Sequence, residues 1–161
     1  MSKSLVLYFS VYGTAKKLAE EIARQACADI MEIVPAVPYD SDRNHYNALA
    51  RLAKKEHDED QRPAIASTIP VQDYDVIYLG YPMWWYTFPM IIYTLFDQYD
   101  FSGKTIVPFN THMGSRDGGT YRTIRKLAPK ARVLEGLPVE MRDAESGDAD
   151  AVAQWLKGLE V

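Results

Sequence analysis

Three short stretches of this 161-residue chain concentrate residue types that do chemistry by binding. The first, Ser10-Val11-Tyr12-Gly13-Thr14, runs from an apolar segment straight into a helical one that opens with Ala15. Backbone N–H groups at a helix start are unpaired and favour anions, and Gly13 permits a turn tight enough to aim several at one oxygen group. Ser10 and Thr14 add hydroxyl donors. Lys16 and Lys17 follow in the first turn, where the helix dipole favours acids, so a bound phosphate would offset the mismatch. Two exposed lysines there cost only roughly a few tenths of a kcal/mol, and by themselves need no ligand.

The second stretch, Tyr81-Pro82-Met83-Trp84-Trp85-Tyr86-Thr87-Phe88-Pro89, holds two of the three tryptophans and no charge. A connecting loop of that composition is either covered by something flat and apolar or used to plug the core or meet a second copy of the chain. The third stretch, Asn110-Thr111-His112-Met113-Gly114-Ser115-Arg116-Asp117-Gly118-Gly119, is rich in glycine and small polar residues. Thr111, His112, Gly114, Ser115 and Gly118 suit the polar edge of a ring system, where added negative charge needs donors. Read singly, they are also ordinary loop residues, and His112 an ordinary loop histidine.

Other chemistries are excluded. Neither GxxxxGK[ST] nor GxGxxG occurs, so nucleotide hydrolysis and a Rossmann dinucleotide site are not indicated. No Ser/His/Asp set or carboxylate pair is assembled. His57-Asp58-Glu59-Asp60 are consecutive and do not share a helix face, which reads as a solvated charge run rather than a metal site. A phosphoacceptor receiver domain needs acids after its first strand and an Asp after its third, where this chain has Ser10 and Gly80-Tyr81-Pro82. The net charge of -4 argues against nucleic acid as a partner. Cys27 is the single cysteine, which rules out an intrachain disulfide and fits a reducing, cytoplasmic setting. Residues 1–13 read as a first strand rather than a secretory signal, and the longest apolar runs, such as 88–96, are too short to span a membrane.

The elements that must position these stretches follow from periodicity. Residues 4–9 (SLVLYF) read as a strand buried on both faces, and 30–34, 75–80 (DVIYLG), 104–109 (KTIVPF) and 131–134 as four further strands. Helical spacing covers Ala15 to Ala26, then 90–98, 121–127 and about 148–159. Residues 35–73, with four prolines and a charged helical stretch over 44–57, form an elaborated connection rather than a domain boundary. The alternation predicts a single α/β domain over 1–161, a doubly wound five-stranded parallel sheet with helices on both faces. In such sheets ligands bind beyond the carboxyl ends of the strands, so all three stretches lie on the binding edge. A phosphate turn, a flat apolar cover and a donor-rich loop together describe a site for FMN.

YFSVYGTAKKLAEEIA, DYDVIYLGYPMWWYTFP, YDFSGKTIVPFNTHMGS and KLAPKARVLEGL resemble the bacterial flavodoxin family over most of the chain. The resemblance implies strand order 2-1-3-4-5, non-covalent FMN and electron transfer. It places residues 10–15 on the phosphate and the second and third loops around the ring. The family's S-x-[ST]-G-N-T is altered here at Tyr12, Thr14 and Ala15, with two hydroxyl donors lost. Each is worth roughly 1.5–3 kcal/mol against a charged group, and Thr14, Lys16 and Lys17 are the groups placed to compensate. Weakened FMN binding is the corresponding expectation. Mild acidity and an uncharged second loop leave two expected roles. One is a carrier serving redox partner proteins. The other is an NAD(P)H-dependent FMN or quinone reductase, with Trp84, Trp85 and Tyr86 walling a pocket for a small quinone or nicotinamide. For either role a homodimer, meeting through the aromatic loop, is a further expectation.

Overall fold

Alternation along the central strands sorts their side chains onto two faces, and both faces are buried there, whereas the edge strand over 29–32 is largely exposed. On β1 (Ser4–Tyr8) and the residue after it, Leu5, Leu7 and Phe9 point one way and Val6 and Tyr8 the other. β3 (Val76–Pro82) repeats this, with Ile77, Leu79 and Tyr81 opposite Val76 and Tyr78. A strand buried on both sides reads as a continuous apolar run, which is why these two were legible. The computed structural model describes residues 2–161.

The sheet is parallel, with β2 (Asp29–Glu32), β1, β3, β4 (Thr105–His112) and β5 (Arg132–Val133) side by side in the order 2-1-3-4-5. A sixth strand, β6 (Leu137–Glu140), also pairs with β4. β5 and β6 are two halves of one edge. β5 pairs Arg132 with Thr105 and β6 pairs Leu137 with Phe109, so Val107 and Pro108 face the three residues Leu134, Glu135 and Gly136. Pro108 has no N–H to donate, and such a residue is tolerated where the ladder is interrupted by a bulge. Gly136 is required in that bulge, since a Cβ there would stand 2.7 Å from the Pro108 carbonyl oxygen.

α1 (Thr14–Ala26) buries Ala15, Leu18, Ala19, Ile22 and Ala23 on the Val6 face, where α6 (Ala149–Gly158) contributes Val152 and the short α5 (Met141–Ala144) contributes Ala144. α3 (Met90–Gln98) and α4 (Thr120–Leu127) cover the other face with Ile91, Ile92, Leu95 and Ile124. The connection between β2 and β3 closes on itself: Ala36 N–H donates to Ala64 O (2.8 Å) and Ala66 N–H to Val34 O (2.7 Å). It carries a 3₁₀ turn at Arg43–His45 and then α2 (Tyr46–Asp58). Among the described residues no helix is long and apolar enough to cross a membrane.

Candidate functional site

The turn after β1 is built to receive an anion. Gly13 takes φ +89°, a left-handed conformation that starts α1 with no side-chain cap. Ser10 Oγ accepts from Gly13 N–H at 3.1 Å, which folds the turn back on itself and leaves the serine proton free. Among the described residues, the N–H groups of Val11, Tyr12, Thr14, Ala15 and Lys16 donate to no protein acceptor. The buried Tyr12 hydroxyl likewise has no protein partner. Ser10, Val11, Tyr12, Gly13, Lys16, Glu32 and Ser41 wall a pocket of about 360 Å³ beside this turn. Unsatisfied backbone donors in a turn beside such a pocket fit a phosphate.

Two groups expected to assist are already engaged. Thr14 Oγ1 donates to Glu145 at 3.0 Å, and Lys17 Nζ pairs with the same carboxylate at 3.0 Å. Of the compensating groups, Lys16 is the one that lines the pocket. Glu145, at the end of α5, was not legible as a site residue, because nothing in sequence signals a contact across 131 positions.

Beyond β3 the second loop makes a two-residue hairpin. Trp84 N–H donates to Thr87 O (2.7 Å) and Thr87 N–H to Trp84 O (3.2 Å). Its central residues, Trp85 and Tyr86, sit at φ +53° and +64°. Positive φ is uncommon for bulky side chains, and strain of this kind clusters at functional sites. Trp84 packs edge-on to Phe9 (5.5 Å) and Tyr39 (5.2 Å), filling the top of the core. Trp85 turns to α2, its Nε1 donating to Ala50 O at 2.8 Å beneath the Lys54 ammonium. Tyr86 is left 77% exposed. Pro82 ends β3 opposite Thr111 of β4.

The third loop is held from below. The buried Asn110 donates to Arg116 O at 2.8 Å and accepts from Tyr121 Oη, while Thr120 donates to Asp117 O at 2.6 Å and accepts from the buried Tyr81 hydroxyl. These four supports escaped sequence reading, since they are ordinary polar residues until the fold buries them. The side chains of Thr111 and His112 are buried, and His112 Nδ1 accepts from Gly114 N–H at 2.9 Å. Burial lowers the His112 pKa, with the Arg116 charge adding to this and Glu140, facing it on β6, opposing it. Met113 is 82% exposed at the tip, with Ser115 beyond it. Second and third loops meet at Gly118, where a Cβ would fall 2.5 Å from both Met83 Cε and Tyr86 O. A separate cavity of about 470 Å³, among residues 96–102 and 127–130, lies at the C-terminal ends of α3 and α4, on the other edge of the sheet.

An open parallel sheet of this order, with an anion-receiving turn after β1 and aromatic and glycine-rich loops beyond β3 and β4, defines the flavodoxin-like class of α/β domains. The chain belongs to the flavodoxin family, whose model matches residues 3–159. It is similar to a crystal structure from Bacteroides uniformis provisionally classed as a flavoprotein, at TM-score 0.84 and 30% identity over 97% of this chain and 98% of that one. The fold is shared with a flavoprotein from Lactobacillus acidophilus solved in complex with FMN, at TM-score 0.70 and 24% identity over 93% of this chain and 99% of that one. Among curated sequences, an NAD(P)H dehydrogenase (quinone) of Gluconacetobacter diazotrophicus is 29% identical over 153 residues, 86% of this chain and 72% of that one.

Proposed function

We propose that the chain, residues 1–161, is one flavodoxin-like domain that holds FMN non-covalently at the carboxyl edge of its sheet and transfers electrons through it. The observation that carries this reading is the set of five unengaged N–H groups in the turn after β1, three of them on residues that wall the adjoining pocket, in a chain of this family. Bound FMN supplies the redox chemistry, and the protein supplies binding, orientation and electrostatics. The N–H groups of Val11, Tyr12, Thr14, Ala15 and Lys16 and the Ser10 hydroxyl bind the phosphate, with Lys16 contributing charge. Met83, Trp85 and Tyr86 offer apolar surface at the ring end. Thr111, His112, Gly114, Ser115 and Gly118 form the backbone rim on its polar side, and Pro82 and Trp84 support that end from beneath. The single cysteine supports a reducing compartment such as the cytoplasm.

A second reading, an NAD(P)H-dependent quinone reductase, is favoured by the names of curated relatives and by the uncharged second loop. In that case the exposed Tyr86 and Trp85 also receive a small quinone or nicotinamide. One set of measurements tests both. Titrating apoprotein with FMN quenches flavin fluorescence to saturation at micromolar flavin, and absence of saturation removes the cofactor. The loaded protein mixed with NAD(P)H and a quinone turns over rapidly without a partner reductase only if the second reading holds.

A further inference from the structure

Glu145 is the one acidic side chain among the described residues that bonds directly to the phosphate turn. Its carboxylate accepts from Thr14 Oγ1 at 3.0 Å, pairs with Lys17 Nζ at 3.0 Å and lies 3.6 Å from the Arg43 guanidinium. Arg43 in turn leans over the Tyr12 ring, 5.1 Å from its centroid, and directs a nitrogen at Tyr12 O at 3.5 Å. Glu145 is fixed there by the fold. Ala144 before it is fully buried on a helix that packs against α1, β4 and β6, and Gly147 after it approaches α1 closely, its would-be Cβ 3.3 Å from the Glu21 side chain. Hydrogen bonds from Lys17 and Thr14 hold its carboxyl below the ordinary carboxylate range, so it is charged at neutral pH.

Resting on the FMN reading above, we infer that Glu145 is an internal counter-anion of the phosphate turn that sets how strongly the site prefers a phosphorylated flavin to an unphosphorylated one. Thr14 carries both an unengaged N–H and a hydroxyl committed to this carboxylate, which therefore stands one side chain away from a backbone donor of the turn. That is well within a Debye length of about 8 Å, where like charges still repel. Glu145 also neutralises one of the two cations, Lys17 and Arg43, that would otherwise attract the ligand, and it withholds the Thr14 hydroxyl. The ring and ribityl chain carry no charge, so riboflavin escapes all three effects. Weak phosphate recognition is thus a property of a residue far from the turn in sequence, as well as of the altered turn itself.

The test compares wild type, Glu145→Gln and Lys17→Met, each checked for folding by circular dichroism. FMN and riboflavin are titrated at low and at physiological ionic strength. Glu145→Gln is expected to tighten FMN about threefold or more, the scale of a partly exposed ion pair, while leaving riboflavin unchanged. Lys17→Met is expected to move FMN the opposite way, and both changes shrink as salt is raised. Parallel shifts for the two flavins, or FMN binding unchanged or weakened in Glu145→Gln, overturn the inference. Inorganic phosphate as a third probe separates it from its premise. If no variant binds either flavin but phosphate raises the melting temperature of Glu145→Gln more than that of wild type, the FMN reading falls and the role of Glu145 stands; equal or absent shifts remove both.

Discussion

His112 stands at the end of β4 with Nδ1 accepting a hydrogen bond from Gly114 N–H, so its own proton is on Nε2. Protonating Nδ1 breaks that bond and loosens the third loop. Because burial lowers the folded pKa below the ordinary 6.5, the unfolded chain takes the proton first as pH falls. The stability held in neutral His112 is therefore complete above about pH 6.5 and is lost as pH falls from there toward the folded value. His112→Asn keeps an acceptor at the position and does not titrate. Urea midpoints of the two proteins should converge on lowering the pH from about 7 to about 5. A wild-type slope no steeper than the variant's would show that Gly114 does not depend on this bond.

Within the elements, the hairpin at Trp84–Thr87 is the strained part. Two bulky residues occupy positions that such a turn normally gives to Asn and Gly. Each L-residue held left-handed costs about 1–2 kcal/mol, and Tyr86, mostly exposed, recovers little of it by packing. Tyr86→Gly should raise the melting temperature by about 2 °C while weakening flavin binding. An unchanged flavin affinity would remove Tyr86 from the ring site. The connection is pinned differently. Tyr39 Oη reaches both carboxylate oxygens of the buried Glu56, at 2.8 and 3.1 Å, and its ring packs on Trp84. Burial raises the Glu56 pKa against that hydrogen bond, so the cost of the charge is absent in acid and grows as pH rises through the folded value. Tyr39→Phe should cost about 1–3 kcal/mol near neutral pH and less in acid, read from chemical unfolding.

For the molecule as a whole, the carboxyl edge brings unpaired donors and strained backbone together while the sheet beneath is buried on both faces. A ligand completing that edge binds the folded chain alone and stabilises it by mass action. At about one hundred times its Kd this amounts to roughly 2.7 kcal/mol, and saturating FMN should raise the melting temperature by about 5–10 °C. A melting temperature indifferent to FMN would argue that the edge serves another ligand.

Strand and helix positions, the parallel sheet and the three loops beyond β1, β3 and β4 were legible because burial of the central strands and 3.6-residue spacing are local signals. Ala15, Leu18 and Ile22 announce α1 whatever they pack against, and 90–98 was legible to the residue. β6 was not, since its four residues follow a bulge that exists only opposite Pro108. The aromatic loop could be recognised as exceptional from composition, yet whether each ring covers a ligand or fills the core depends on neighbours. Phe9 and Tyr39 take Trp84, Ala50 takes Trp85, and Tyr86 is left to solvent. The same holds at the phosphate turn. Gly13 and the unpaired N–H groups on either side of it follow from a strand meeting a helix, whereas the partner of Thr14 and Lys17 arrives from the far end of the chain. Backbone donors are set by local conformation, and side-chain charge is set by whatever the fold brings beside it.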